Sequence, residues 1–263
     1  MGYHLRLKTP VTYSEKLQWL KLYDRRPLYV TMVDKVKVKE YVASIKGKEY
    51  VIPTLGVWKN PDEINFGALP ERFVLKCNHN SGAGMFVCKD KSTIDEEMVK
   101  NELRKGLMEN FYVKNREWPY KDVPRRAFAE AYMEDEYGEL RDYKFFCFDG
   151  EVKALFIASD RSKGEASVRF DFFVVDYNHL PFTNGHLCAD VTPEKPSMFE
   201  EMKTLAAKLS KGIPHVRVDF YEVGNKIYFG EMTLYHWSGM KPFVPEEWDY
   251  LFGEWIKLPR LGK

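Results

Sequence analysis

Arg217, Asp219, Glu231 and Thr233 are residues whose types and spacing could do chemistry. They stand on two short runs, Arg217-Val218-Asp219-Phe220-Tyr221 and Ile227-Tyr228-Phe229-Gly230-Glu231-Met232-Thr233. Both runs alternate apolar and polar residues at period two, as strands with one buried face do. Residues 222–226 between them are rich in turn formers, so the pair reads as an antiparallel hairpin. Alternation then sets Asp219 beside Glu231, with Arg217 and Thr233 pointing the same way. Like charges opposed on neighbouring strands repel, so a cation is expected between them. A hard divalent ion on oxygen ligands is the simplest candidate. An exposed acidic pair on a surface hairpin accounts for the same residues, and on these residues alone it is the commoner arrangement.

Further upstream, Lys76 ends the apolar run Phe73-Val74-Leu75 and is followed by the turn Ser81-Gly82-Ala83-Gly84. Such a turn presents backbone N–H groups to anionic oxygens, and a lysine at its base adds a point charge. It is neither a Walker A motif nor a dinucleotide fingerprint, and a plain hairpin with a snorkelling lysine is the competing reading. Glu130 interrupts the apolar run Ala127–Met133, where an unpaired carboxylate is costly to bury; it needs a partner or the solvent face of an edge strand. Asp142 and Lys144 alternate on one strand face and suit an internal ion pair as well as a ligand. His79 could serve as an acid/base or phosphate donor, although a lone turn histidine is more often a surface one, and His236 with Trp237 reads as pocket lining or packing. Arg161, Lys163 and Arg169 mark residues 159–169 as an exposed basic loop. No Cys/His zinc pattern and no nucleophile elbow is present.

The elements that must position these groups follow from the patterning. Ser14 is expected to cap a helix with Leu17, Leu20 and Leu22 on its apolar side, ended by Pro27. A helix capped by Asp34 follows, then a strand over 50–57. Ser92 is expected to cap a helix over 93–109 with Ile94, Met98, Leu103 and Leu107 on one face. Residues 134–139 read as a linker. From 140 the pattern is antiparallel β, with Asp149-Gly150 as the strongest hairpin signal, and residues 198–209 form an amphipathic helix. The 263 residues suffice for one large or two modest domains. A net charge of +1 offers no electrostatic case for a nucleic acid partner. Cys77, Cys88, Cys147 and Cys188 show no metal or redox spacing, so buried free thiols in a reducing compartment are expected. No apolar run reaches spanning length and the N-terminus lacks a signal core, which implies a soluble, cytoplasmic chain.

The order of these pieces resembles the ATP-grasp superfamily: Asp34-Lys35 with Lys39, Lys76 before a glycine loop, Glu130 in Ala-Glu-Ala-Tyr-Met, Asp142, Asp219, and Glu231 two before Thr233. The wording Val-Leu-Lys-Cys-Asn-His, Arg-Asp-Tyr-Lys-Phe-Phe-Cys-Phe-Asp-Gly and Gly-Glu-Met-Thr-Leu-Tyr resembles its TupA-like branch, named for teichuronopeptide synthesis and found in capsule and other surface-polysaccharide loci. The resemblance implies an α+β ATP-grasp fold, two α+β subdomains clamping ATP. Residues 1–72 would be an N-terminal segment and the start of the fold, 73–133 the small subdomain with the glycine loop, and 134–263 the large subdomain with the metal site.

It implies that Lys39 and Lys76 hold the α- and β-phosphates and that Ser81, Gly82, Ala83 and Gly84 fold over the β- and γ-phosphates. Glu130, Ala131, Tyr132 and Met133 would form the adenine hinge, and Asp142 would take the ribose. Asp219, Glu231 and Thr233 would bind Mg2+, with Thr233 standing where many members have Asn. Arg217 would contact the reacting phosphoryl group and Lys144 would reach a phosphate. Beside the resemblance, Arg161 sits with Lys163 and Arg169 in a loop able to close over the γ-phosphate or an acidic sugar, with a solvated basic loop as the competing reading. The implied activity is an ATP- and Mg2+-dependent carboxylate–amine ligase of cell-surface polysaccharide synthesis, joining a uronic acid of a sugar or glycan to a small-molecule amine, an amino acid. A carbohydrate kinase, a glycosyltransferase and a non-catalytic nucleotide binder are the alternatives.

Overall fold

The computed structural model describes residues 4–136, 138–161 and 164–260. In chain order its helices are α1 (Tyr13–Tyr23), α2 (Pro27–Val33), α3 (Lys37–Lys46), α4 (Glu96–Met108), α5 (Phe111–Asn115), α6 (Phe199–Leu209) and α7 (Glu247–Trp255). Its strands are β1 (Thr54–Trp58), β2 (Phe73–Cys77), β3 (Phe86–Cys88), β4 (Ala127–Ala131), β5 (Asp142–Phe148), β6 (Glu151–Ser159), β7 (Arg169–Val174), β8 (Val216–Val223) and β9 (Lys226–Thr233). They fall into two compact units, one of residues 27–133 and one of residues 1–26 with 134–263. The expected N-terminal segment 1–72 is thus divided: α1 packs with the C-terminal α7, and residues from Pro27 onward belong with the first sheet.

The 27–133 unit is built on an antiparallel sheet in the order β1-β4-β2-β3. Phe73, Leu75 and Cys77 alternate inward from β2 and meet Ala127 and Ala129 of β4 beneath Val99 and Leu103 of α4. Asp95, not Ser92, caps α4, accepting from the Met98 N–H at 2.9 Å. Val99 takes the core position expected for Met98, which is exposed. One residue of register decides this, because a helix turns 100° per residue. Asp34 does serve the start of α3, accepting from the Val36 and Lys37 N–H groups at 3.0 and 3.3 Å.

The other unit carries an antiparallel sheet in the order β7-β6-β5-β8-β9. Its two tight hairpins, β5–β6 and β8–β9, turn on Asp149-Gly150 and Gly224-Asn225, all four residues having positive φ, the geometry that matches strand twist in two-residue loops. The central strand β5 buries Phe145, Phe146 and Cys147 completely. Phe145 packs on Phe199 of α6, while Phe146 meets Tyr13 of α1 and Phe252 of α7 on the opposite face. Both faces of the sheet are therefore covered, where one buried face was expected, and the polar residues of β8 lie inside. Thr12 caps α1 in place of Ser14, with Glu15 completing a capping box. Leu22 points outward. Pro27 opens α2 rather than closing α1, since proline suits a first helical turn.

Candidate active site

Seven of the residues singled out on chemical grounds meet at one end of the five-stranded sheet. Cross-strand pairing sets Lys144 opposite Asp219, Phe146 opposite Arg217 and Asp142 opposite Ala158. Period-two alternation then turns Asp142, Lys144, Arg217 and Asp219 toward the same face. The hairpin β8–β9 does not oppose Asp219 to Glu231 directly, as alternation implied. Its register shifts between Val218↔Met232 and Phe220↔Phe229, so Gly230 and Glu231 together stand against Asp219, a β-bulge that re-aims Glu231. A Cβ on Gly230 would lie 3.1 Å from the Tyr221 ring and 3.2 Å from the Asp219 carbonyl, so the bulge favours glycine.

A cation of the chain itself reaches both carboxylates. Arg217 donates from Nε to Asp219 Oδ1 and from Nη2 to Asp219 Oδ2, both at 2.7 Å. The same Nη2 reaches Glu231 Oε1 at 2.9 Å and Thr233 Oγ1 at 3.0 Å, and the Thr233 hydroxyl donates to Glu231 at 3.0 Å. Lys144 bridges Asp219 and Asp142, lying 3.2 Å from the latter, and Arg161 closes on Asp142 from the following loop. Three cations thus face three carboxylates in a cluster where Asp142, Asp219 and Arg217 are buried. Buried charges persist when paired and hydrogen-bonded in this way. Burial pushes the Asp142 carboxyl up, but Arg161 and Lys144 outweigh it and hold the group below the usual carboxylate range. Burial pushes the Asp219 carboxyl up against the pull of Arg217 and Lys144. With both its oxygens on cations, the hydrogen bonds describe the ionised form.

Arg217 is itself anchored by a group that the sequence marked as pocket lining or packing. Its Nη1 donates to His236 Nδ1 at 2.8 Å, which leaves the proton on Nε2, 2.9 Å from Asn184 Oδ1. Asn184 in turn donates to the Lys241 and Pro242 carbonyls at 3.1 and 3.0 Å. Burial, reinforced by Arg217, pushes His236 far below its ordinary pKa, so it works as a neutral acceptor.

The 27–133 unit holds a second cluster. Glu130 is buried on β4 with a lysine on each oxygen: Lys76 at 2.7 Å on Oε2, and Lys39 on Oε1. Lys39 also donates to the Ile52 carbonyl at 3.0 Å and to Thr54 Oγ1 at 2.9 Å. Of the two readings left open for Glu130, the partnered one holds. Burial raises its pKa, and Lys76 and Lys39 more than reverse the effect; burial lowers Lys39, with Glu130 opposing.

In the glycine turn Ser81, Gly82 and Ala83 are exposed, while Gly84 is pinned. A Cβ there would meet Cys77 Sγ at 2.7 Å and the Gly106 Cα of α4 at 3.1 Å. The loop is therefore fixed at its base and open at its tip. His79 is not a surface residue: it is buried, with Nε2 3.1 Å from the Glu109 carbonyl. The residues after Glu130 are half-buried. Ala131 donates its N–H to the Pro53 carbonyl at 3.1 Å, and the Tyr132 ring lies 4.9 Å from the Arg72 guanidinium. Met133 ends the unit.

Sequence reasoning missed Asp34, Asn78 and Arg126 as a locked set. Asn78 Nδ2 donates to Asp34 Oδ1 at 2.9 Å and Arg126 to Asp34 Oδ2 at 2.7 Å. Asn78 and Asn80, polar residues just after the apolar run that ends at Lys76, were the available signal. In the basic loop, Arg169 donates to the Ser167 and Val168 carbonyls, steadying its own turn. Lys163 lies outside the described residues.

No curated protein matches the chain. Among solved structures, D-alanine–D-alanine ligase of Bacillus anthracis complexed with ATP is 14% identical with a TM-score of 0.44, over 78% of this chain and 54% of that one. The ATP-grasp ligase PsnB with minimal precursor, Mg and ADP is 13% identical at 0.46, over 84% and 57%. D-cycloserine synthetase DcsG is 16% identical at 0.45, over 79% and 64%. The chain thus spans between 54 and 64% of the length of these proteins. A family model described as TupA-like ATPgrasp matches residues 15–257. That match takes in both sheets and every residue of the two charged clusters, and the chain belongs to the TupA-like ATP-grasp family.

Proposed function

We propose that the protein is an ATP- and Mg2+-dependent carboxylate–amine ligase that activates its carboxylate as an acyl phosphate and releases ADP and phosphate. The observation that carries this reading is the buried cluster of Arg217, Lys144 and Arg161 against Asp142, Asp219 and Glu231 in a chain of this family. Phosphoryl transfer needs positioning and charge stabilisation more than a covalent nucleophile, and the cluster is equipped for that.

Asp219, Glu231 and Thr233 offer only oxygen donors, which suits a hard ion such as Mg2+. Asp219 and Glu231 would hold it, with the Thr233 hydroxyl as the weaker donor. Bound there, Mg2+ would neutralise charge on the polyphosphate. Arg217 is held rigid by His236 and is suited to orient the transferring group, with Lys144 and Arg161 beside it. In the 27–133 unit, Lys39 and Lys76 are the cations for the α- and β-phosphates. Glu130 holds both lysines in place through one oxygen each. The open tip Ser81–Gly82–Ala83 would cover the β- and γ-phosphates, and Ala131, Tyr132 and Met133 would line the base, with Asp142 toward the ribose. In this reading residues 73–133 carry the nucleotide-covering part of the fold and 134–263 the metal-binding part.

The substrate classes rest on the family's setting: a uronic acid of a surface or capsular polysaccharide as carboxylate and an amino acid as amine, joined in the cytoplasm where ATP is present. The test crosses uronic acids with amino acids, follows ADP and phosphate release, and reads product mass. Release of both only when acid and amine are present, with an amide product, is the expected result. A phosphorylated sugar, nucleotide-sugar turnover without ATP, or nucleotide binding without turnover would each overturn the ligase reading.

A further inference from the structure

Away from the charged clusters, the edge strand β7 carries a group of side chains that the reaction above does not use. Asp171 is fully buried, and the chain returns along the strand on both sides of it. Leu180 donates its N–H to the Phe172 carbonyl at 2.7 Å, His179 bridges to Phe173, and Phe170 donates to the Leu187 carbonyl at 3.0 Å. These backbone pairings bring His179 and Cys188 to Asp171. One ligand atom from each of the three lies within 4.8 Å of those of the other two. His179 Nε2 is 3.1 Å from Asp171 Oδ1, and the Ala189 N–H donates to Oδ2 at 3.2 Å. His179 is exposed and Cys188 half-buried, so an ion can reach the group from solvent.

We propose that Asp171, His179 and Cys188 form a binding site for a borderline divalent transition metal of the zinc type, which ties the 176–189 return to β7. The donor set decides the class of ion. Thiolate, imidazole and carboxylate together select zinc-like ions, whereas Mg2+ prefers oxygen alone. Three protein ligands leave a fourth position for water in a tetrahedral shell.

Binding is a proton-for-metal exchange with no change of oxidation state. The Cys188 thiol releases its proton to water as its sulfur bonds the ion. His179 binds as the Nδ1–H tautomer: the single ring proton passes through solvent from Nε2, the nitrogen that faces Asp171, to Nδ1, and the Nε2 lone pair becomes the ligand, so the thiol proton is the one released. Asp171 keeps the Ala189 N–H on Oδ2, which fixes its orientation as an outer contact does for a ligating carboxylate.

The test uses the whole chain stripped of metal with a chelator and titrated with Co2+ alone. The expected result is one Co2+ per chain with thiolate-to-cobalt absorption, displaced by Zn2+ and untouched by Mg2+. Cys188→Ser should abolish that absorption, and His179→Ala should weaken binding about tenfold or more. In the unmodified chain Zn2+ should also protect Cys188 from a thiol reagent, a readout independent of the variants' folding. Absence of thiolate absorption, its persistence in Cys188→Ser, or labelling of Cys188 at the same rate with and without Zn2+ would each overturn the proposal. None of these outcomes bears on ATP turnover, so the two readings stand or fall separately.

Discussion

Arg217 shows how much one side chain can be asked to hold. Its guanidinium grips Asp219 with two nitrogens, reaches Glu231 and Thr233 with one of them and His236 with the third. Variants at the two carboxylates should therefore differ in kind. Glu231→Gln, at a half-exposed position, should abolish turnover while leaving the thermal midpoint within a few degrees. Asp219→Asn should abolish turnover and also destabilise the fold by about 3–5 kcal/mol, because it leaves buried cations uncompensated; denaturant unfolding of both variants separates the cases. Lys76→Ala should weaken ATP binding about tenfold to a hundredfold, the loss of a charged hydrogen bond, read by calorimetric titration. At Glu15, burial pulls the carboxyl up, but Arg6 and the N–H groups of Val11, Arg6 and Thr12 more than reverse this and hold it at about 2 against an ordinary 4.5. A depressed acid stabilises the fold above its unfolded value. That contribution, about 3 kcal/mol, should fade as pH falls from 4.5 toward 2. Glu15→Gln should lower stability at neutral pH by a similar amount and flatten this part of the pH profile.

Among the elements, the glycine turn between β2 and β3 divides into a pinned base and an open tip, and glycine-to-alanine variants should report the division. Gly82 has φ +89° with open space around it, whereas Gly84 has φ +68° and meets Cys77 and α4. Gly82→Ala should cost about 1 kcal/mol from backbone strain alone. Gly84→Ala should cost about 2–4 kcal/mol, since overpacking adds to the strain; chemical denaturation measures both. Sequence patterning reached these elements unevenly. The two-residue hairpins were legible because Asp-Gly and Gly-Asn permit positive φ at both positions. The cap of α4 and the exposure of Met98 were not, because Ser92 and Asp95 both suit a cap and the helix starts only after Asp95. The bulge at Gly230 was equally hidden: strict alternation admits no extra residue, and only the Tyr221 contact shows why glycine stands there.

All four cysteines of the molecule are free thiols. Cys77, Cys88 and Cys147 are buried in strands and Cys188 is half-buried in the return after β7. Burial pushes Cys77 and Cys147 up to about 12, so neither offers thiolate near neutrality. A thiol reagent should therefore modify one cysteine per native chain, Cys188, and all four only after unfolding, as mass spectrometry of the labelled chain would count. Among the described residues no helix is long and apolar enough to cross a membrane.

The amino-acid order by itself determined the α+β class, the family, and the residues that form the two charged clusters. It could do so because strand alternation and family motifs are local patterns, written over a few consecutive positions. Tertiary structure alone decided which charge meets which. Arg217 reaches both Asp219 and Glu231, Glu130 is shared by two lysines from separate elements, and His236 is packed as the acceptor that holds Arg217. It likewise decided that Asp171, His179 and Cys188 meet, although no sequence spacing announces a metal site. Contacts of this kind depend on where the chain returns along a sheet edge, and that is fixed by backbone pairing and core packing far from the residues it brings together.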